Sequence, residues 1–277
     1  MPPGVSAYVG LKLSGAPARL NAMGRFSTTV EFYSRYREPY PPSFFKKVAE
    51  QIGLRGNETL LDVGCGPGLL AIGFAPYIGH GTGLDPEPTM LAAAKSAAKE
   101  AGVALKLIHE TIEQFADGGT FDMVTIGRAI HWLDRETTCG VLERIVAEQG
   151  RIVTCGATTV ESTESPWKAP YEAVRKEWAA DKHEEWYRID PRTWFAGSAF
   201  AQVGTVSVGE HRQVTIPELI GRALSKSNTS PAVLGERRAE FEAALASALE
   251  PFAQNGILQE EIVARGSIFG RQPRHSS

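Results

Sequence analysis

The sequence predicts an α/β protein built on a doubly wound, mostly parallel sheet. Three observations carry this. Short apolar runs alternate with helical stretches from about residue 43 to 155. The first run empties into a glycine-rich turn, Gly64-Cys65-Gly66-Pro67-Gly68, that leads into a helix. The second run ends on an acid, Asp85. In sheets of this type ligands bind outside the carboxyl ends of the strands, so the informative residues should follow each strand.

Residues 1 to about 25 are rich in Gly, Ala and Pro without a sustained period and read as a flexible leader or cap. Ser43 is placed to cap a helix whose apolar face is Phe44, Val48 and Ile52, closed by Gly53. TLLDVG (59–64) is a short apolar run ending in glycine, the pattern of a buried strand. GTGLD (81–85) is a second strand, and the Ala-rich stretch after it is a helix that stops at Gly102. VALKLIH (103–109), FDMVTIG (121–127) and RIVTC (151–155) read as strands, with a helix over 136–148. Beyond Cys155 the rhythm changes. Residues 160–200 hold Trp167, Trp178, Trp186 and Trp194, and Tyr171, Val174 and Trp178 fall at helical spacing. A strand over 203–216, a helix from Pro217, an amphipathic helix marked by Phe241, Leu245, Leu249 and Phe252, and a strand over 261–271 complete the chain.

Composition excludes several classes. The 277 residues are 43% hydrophobic and 22% charged, an ordinary globular balance. A net charge of -3 with a pI near 6.1 encodes no global attraction to nucleic acid or an anionic membrane. Cys65, Cys139 and Cys155 are few, odd in number and not paired as CxxC. A disulfide framework or a zinc site is therefore not expected, and a reducing cytoplasm fits. No run approaches the roughly 20 apolar residues of a membrane span, and the first twenty residues are too broken by Gly, Lys and Pro to form a signal-peptide core.

The glycine turn and Asp85 together indicate an adenosine ligand. Glycines at alternating positions permit positive φ and let a ligand approach the backbone. A carboxylate at the end of the next strand can take both ribose hydroxyls. The spacing here is GxGxG with Pro67 inside it, not the dinucleotide GxGxxG. Asp62, two residues before the first glycine, would repel a pyrophosphate and suits a cationic ammonium or sulfonium.

LDVGCGPG, GLDPEPTML and FDMVTIGRAIHW resemble the motifs of class I S-adenosylmethionine-dependent methyltransferases, over residues 26–155. FYSRYREPYPPSFF (32–45), GRAIHWLD (127–134) and LIGRALSKS (219–227) are similar to the trans-aconitate methyltransferase-like subgroup of the type 11 methyltransferases. The resemblance implies a Rossmann-like seven-stranded sheet in one domain, residues 26–277, with a cofactor core over 58–155. A helical lid insert would span 156–202 and C-terminal elements 203–277, with the last strand antiparallel.

The resemblance also implies site residues. Gly64, Cys65, Gly66 and Gly68 pack on the methionine and ribose of S-adenosyl-L-methionine, or of its product S-adenosyl-L-homocysteine. Asp85 holds the ribose, with Pro86 and Met90 beside the adenine. Glu110, Thr111 and Ile112 face the adenine edge, although the group commonly has Ala at the Thr111 position and an acid at Ile112. Arg128 and Ala129 lie beneath the methionine, and Tyr33 and Arg37 reach its carboxylate. His131 follows the fourth strand and, with the ordinary pKa of an imidazole, is the candidate catalytic base. Tyr36, Trp132 and the four tryptophans of the insert are candidate pocket walls, beside the plainer reading of the insert tryptophans as core for its helices. Arg175, Lys176 and Arg188 offer charge for an anionic substrate, against the plainer reading of a solvated face. The expectation is a monomeric or homodimeric enzyme that methylates O, C or N of a small-molecule acceptor such as a carboxylic acid. It would have no metal, nucleic-acid or membrane partner. The alternatives are a catalytically silent cofactor-binding protein and an NAD-dependent oxidoreductase.

Overall fold

The computed structural model describes residues 29–116, 119–180 and 189–272. The expected leader over 1–25 and Trp186 lie outside the described residues. Seven strands form one sheet: β1 (Thr59–Val63), β2 (His80–Leu84), β3 (Leu105–Ile108), β4 (Phe121–Gly127), β5 (Val146–Thr159), β6 (Phe200–Thr215) and β7 (Ile257–Arg271). Their order is 3-2-1-4-5-7-6. β1 to β5 are parallel, and β7 enters antiparallel between β5 and β6. The order reverses between β1 and β4, which is where such a sheet opens a crevice at its carboxyl edge.

Helices fill the crossovers: α1 (Val30–Tyr36), α2 (Pro42–Ile52), α3 (Leu69–Phe74), α4 (Pro88–Glu100), α5 (Arg135–Ile145), α6 (Lys168–Trp178), α7 (Pro191–Phe195), α8 (Ile216–Leu224), α9 (Pro231–Leu234) and α10 (Arg238–Leu249). α2 begins two residues earlier than a Ser43 cap predicts. Pro42 takes the first helical position, where its missing N–H costs nothing, and Ser43 makes no cap bond. β5 starts at Val146, immediately after α5, and runs well past Cys155 because its outer half pairs with β7. β6 and β7 likewise overrun their predicted bounds, pairing with each other along almost their whole length.

Successive strand residues point to opposite faces, and two cores follow. Leu61, Val124 and Ile152 pack with Leu142 and Ile145 of α5 on one face. Leu60, Met123 and Val153 pack with Phe44, Phe45 and Val48 of α2 and Phe74 of α3 on the other. A third core lies where β6 and β7 outrun the parallel strands. There Val214 and Leu258 meet Trp167 and Tyr171 of the α6 segment, Leu219 of α8, and Phe241, Leu245 and Leu249 of α10.

A buried ion cluster ties this helical layer to the sheet. Arg222 of α8 donates from Nη1 and Nη2 to the two carboxylate oxygens of Glu260 on β7, at 2.7 and 3.0 Å. Glu260 is fully buried and Arg222 is 2% exposed. The Thr159 hydroxyl donates to Glu260 at 2.9 Å, and Arg222 Nε donates to the Tyr36 carbonyl at 3.2 Å, which anchors α1. Removing one partner strands a charge without solvent. Glu260→Ala is expected to cost about 3–5 kcal/mol in urea unfolding, while the paired change Glu260→Leu with Arg222→Met should recover most of that loss. A melt of Glu260→Ala indistinguishable from wild type would show that the cluster does not hold the layer.

Candidate active site

The turn after β1 is shaped by backbone conformation. Gly64 sits at φ +63°, and a Cβ there would lie 2.7 Å from the Ala129 side chain, so the loops after β1 and β4 touch only because this residue is glycine. Gly66, at φ +53°, has nothing nearer than 4.0 Å where a Cβ would be. Its backbone is open to a ligand.

Asp85 is 7% exposed and oriented from both sides. Its Oδ2 accepts from the Gly66 amide at 2.8 Å and its Oδ1 from the Glu87 amide at 2.9 Å. Burial raises its carboxyl above the usual range, and these two amides oppose the shift.

Above these loops lies a cavity of about 880 Å³. Tyr33 and Arg37 of the α1 segment line it, with Gly64, Gly66, Asp85, Pro86 and Met90. The loops after β3 and β4 add Glu110, Thr111 and Ile112, then Arg128, Ala129, His131 and Trp132. Arg37 places its guanidinium 4.8 Å from the centre of the Tyr33 ring, and its buried Nε and Nη1 have no hydrogen-bond partner. Arg128 adopts φ +56°, uncommon outside glycine. It donates from Nη2 to the Glu38 and Ala157 carbonyls at 2.6 and 3.1 Å and stacks on Tyr40. Burial alone would raise the Tyr33 phenol, but Arg37 and Arg128 override it and lower the pKa.

His131, expected as a base or as a pocket residue only, lines the cavity. Burial, with Arg37 nearby, pushes its pKa down to about 4. The imidazole is neutral throughout the physiological range and only weakly basic. Its ring lies 4.8 Å from that of Trp132.

Several expected site residues, the cofactor contacts Asp62, Cys65 and Gly68 and the pocket residue Tyr36, stand outside the cavity lining. Asp62 lies opposite Thr125 in the β1–β4 register, so the two side chains share a face, and Thr125 donates to its Oδ1 at 2.7 Å. It sits under the glycine turn, 1% exposed, where burial pushes its carboxyl up to about 7. Cys65 also faces inward, its sulfur where a Cβ on Gly83 would come within 2.8 Å. Gly68 leads α3, and a Cβ there would lie 3.3–3.4 Å from Ile72 and Ala94. Tyr36 covers Gly221, joining α1 to α8. These four support the wall without forming it.

The tryptophans are the clearest correction. Trp167 is 1% exposed in the third core and donates Nε1–H to the Gln259 carbonyl at 2.7 Å. Trp178 packs against Phe241, and Trp194 against Phe195 in the core under α5. Large rings were drawn into the interior, where they remove the most apolar area from water. In their place the insert gives the cavity Lys168, Glu172, Arg175 and Lys176. Lys226, Ser227 and Asn228 after α8, and Arg265 and Ser267 of β7, were not anticipated as lining. For Lys226 and Ser227 the nearest signal is the end of the LIGRALSKS stretch.

Residues 61–154 match the methyltransferase domain family. A ubiquinone biosynthesis O-methyltransferase from Methylobacterium sp. is 46% identical over 67 residues, 24% of this chain and 27% of that protein. An uncharacterized methyltransferase from Schizosaccharomyces pombe is 29% identical over 129 residues, 43% of this chain and 47% of that protein. The chain thus spans between about a quarter and a half of the length of the curated relatives it matches. A putative type II methyltransferase from Anaeromyxobacter dehalogenans superposes with a TM-score of 0.59 at 17% identity, over 85% of this chain and 98% of its own. An S-adenosylmethionine-dependent methyltransferase from Geobacter sulfurreducens, solved with S-adenosyl-L-homocysteine, gives 0.54 at 18% identity, over 90% and 98%. The segment that carries the glycine turn, Asp85 and the loop after β4 thus matches a methyltransferase domain, and the fold is shared with solved methyltransferases.

Proposed function

We propose that the protein is an S-adenosylmethionine-dependent methyltransferase acting on a small-molecule acceptor, a carboxylic acid or a natural-product-like molecule. The observation that carries this reading is Asp85, a buried carboxylate fixed by two backbone amides beside an open glycine backbone. Two features of the cavity fit the cofactor. Asp85 retains lone pairs for a ribose diol. The unpartnered Nε and Nη1 of Arg37 suit the amino-acid carboxylate. When bound, S-adenosylmethionine supplies a methyl group activated by its sulfonium.

The chain's own residues then orient and enclose. Gly64 and Gly66 bring the backbone close, and Met90, Pro86 and Ile112 offer an apolar surface to a planar base. Holding the reactants in line is worth up to about 7–11 kcal/mol of barrier in ideal cases. His131, neutral at pH 7, orients the accepting group by a hydrogen bond and is too weak a base to hold its proton. The α1 segment and α6, far apart in the chain, border the same cavity, and together they act as a lid that excludes water.

Asp85→Ala is expected to weaken S-adenosylhomocysteine binding by about 2–4 kcal/mol in isothermal titration, through loss of charge-assisted hydrogen bonds. Unchanged affinity would remove the ribose assignment.

His131→Gln, which keeps a hydrogen-bonding side chain, should retain most of the turnover, while His131→Ala raises KM more than it lowers kcat. Because the His131 pKa is depressed, its protonation sets in near pH 4, and the wild-type rate profile should show no limb near 6.5 that the Gln variant lacks. A limb near 6.5 lost in the Gln variant would restore His131 as the base.

A further inference from the structure

Four glycines of the described residues line the cavity, and three have a structural reason. Gly64 and Gly66 take left-handed φ, and a Cβ on Gly127 would lie 2.5 Å from the Leu70 side chain. Gly156 has neither reason. Its φ is not left-handed, and a Cβ there would meet nothing within 4 Å. It stands inside β5, where the pairing with β7 runs without a bulge from Arg151 to Thr159. Glycine in a strand interior costs stability. Where neither a bulge nor crowding calls for it, the remaining reason is the close approach of a ligand.

The same face of the sheet offers polar groups. Side chains alternate, so Thr154, Gly156 and Thr158 share one face of β5, and Ser267 and Arg265 stand directly opposite Thr154 and Gly156 on β7. All five line the cavity. Thr154 is 7% exposed, and its hydroxyl, like that of Ser267, has no hydrogen-bond partner among the described residues. Buried hydroxyls are normally bonded, so this pair is left for a ligand. Thr154 and Thr158 lie roughly 13 Å apart along the strand, and the missing side chain between them leaves a gap of a ring's width. Arg265 is exposed, and its planar guanidinium can stack on an aromatic face. Gly127 pairs with Cys155, so the loop that carries His131 leaves β4 beside this floor.

We infer that the acceptor lies flat on the outer part of β5, an aromatic ring over Gly156 with a hydroxyl or amide edge group on Thr154 and Ser267. Gly156 sets the specificity of this floor, because any side chain there takes the place of the ring. Recognition is by stacking and by hydrogen bonds, and the atom to be methylated faces the His131 loop. That the ring is an acceptor rests on the methyltransferase reading, whereas its binding to this floor does not.

The test is isothermal titration of the full chain, with and without saturating S-adenosylhomocysteine. The probes are 4-hydroxybenzamide, 4-hydroxyquinoline and the saturated 4-hydroxycyclohexanecarboxamide. At least one aromatic probe should bind about tenfold or more tightly than the saturated amide. Gly156→Val should weaken that probe about tenfold or more, and Thr154→Val, which keeps the shape and removes the hydroxyl, about fivefold. Both should leave S-adenosylhomocysteine affinity within about twofold. A Cβ at 156 has open space and valine favours strands, so the Gly156→Val protein is expected to melt no lower than wild type. If it does not fold, Thr154→Val and the comparison of aromatic with saturated probes decide the matter. No binding of either aromatic probe, equal binding of the saturated amide, or undiminished aromatic binding in a folded Gly156→Val or Thr154→Val protein would overturn the inference. Aromatic binding that both substitutions weaken, in a protein that fails to bind S-adenosylhomocysteine, would support the floor and defeat the methyltransferase reading.

Discussion

The bond from the Gly66 amide to Asp85 is the contact on which the ligand end of the cavity depends. It joins the loops after β1 and β2, and it is possible only because the turn after β1 runs through left-handed conformations at its glycines. Asp85 would otherwise be a buried carboxylate with one amide, costly in an apolar setting. With two amides it is preorganised, its remaining lone pairs open to a ligand. The close contact of Gly64 with Ala129 brings the loop after β4 to the same point.

The strand order spreads different chemistry along one crevice. β2 and β3 deliver acids to one end, and α6, the turn after α8 and β7 deliver cations to the other, with the β4 loop and His131 between. The long antiparallel pair β6–β7 carries this arrangement, because its overrun supports the third core and thereby places α6 and α8 over the sheet. The Arg222–Glu260 cluster fastens α8 to β7 and, through the Tyr36 carbonyl, fastens the α1 segment that bears Tyr33 and Arg37. One buried ion pair thus serves both ends of the cavity.

The parallel half of the fold was legible because each strand is short, apolar and stopped by Gly or Asp, which is a local signal. Asp85 and the glycine turn were legible for the same reason. The insert was not. Tryptophan content shows that rings will be buried without showing where: Trp167 and Trp194 went to cores, and Trp178 packs half-buried against one. Lys226 reaches α6 only through tertiary packing, which no spacing in the chain announces. Asp62 looked like a ligand group because it stands two residues from the turn, but strand register aims it at Thr125. His131 was placed at the cavity by its position after β4. Its low pKa comes from burial and from Arg37, nearly a hundred residues away in the chain.

The most direct measurement of the central claim is a crystal structure of the protein with S-adenosylhomocysteine. The ribose hydroxyls should lie within hydrogen-bond distance of Asp85, the amino-acid carboxylate against Arg37, and the sulfur facing His131 and the basic end of the cavity. Ligand density outside the cavity, or a ribose turned away from Asp85, would contradict it.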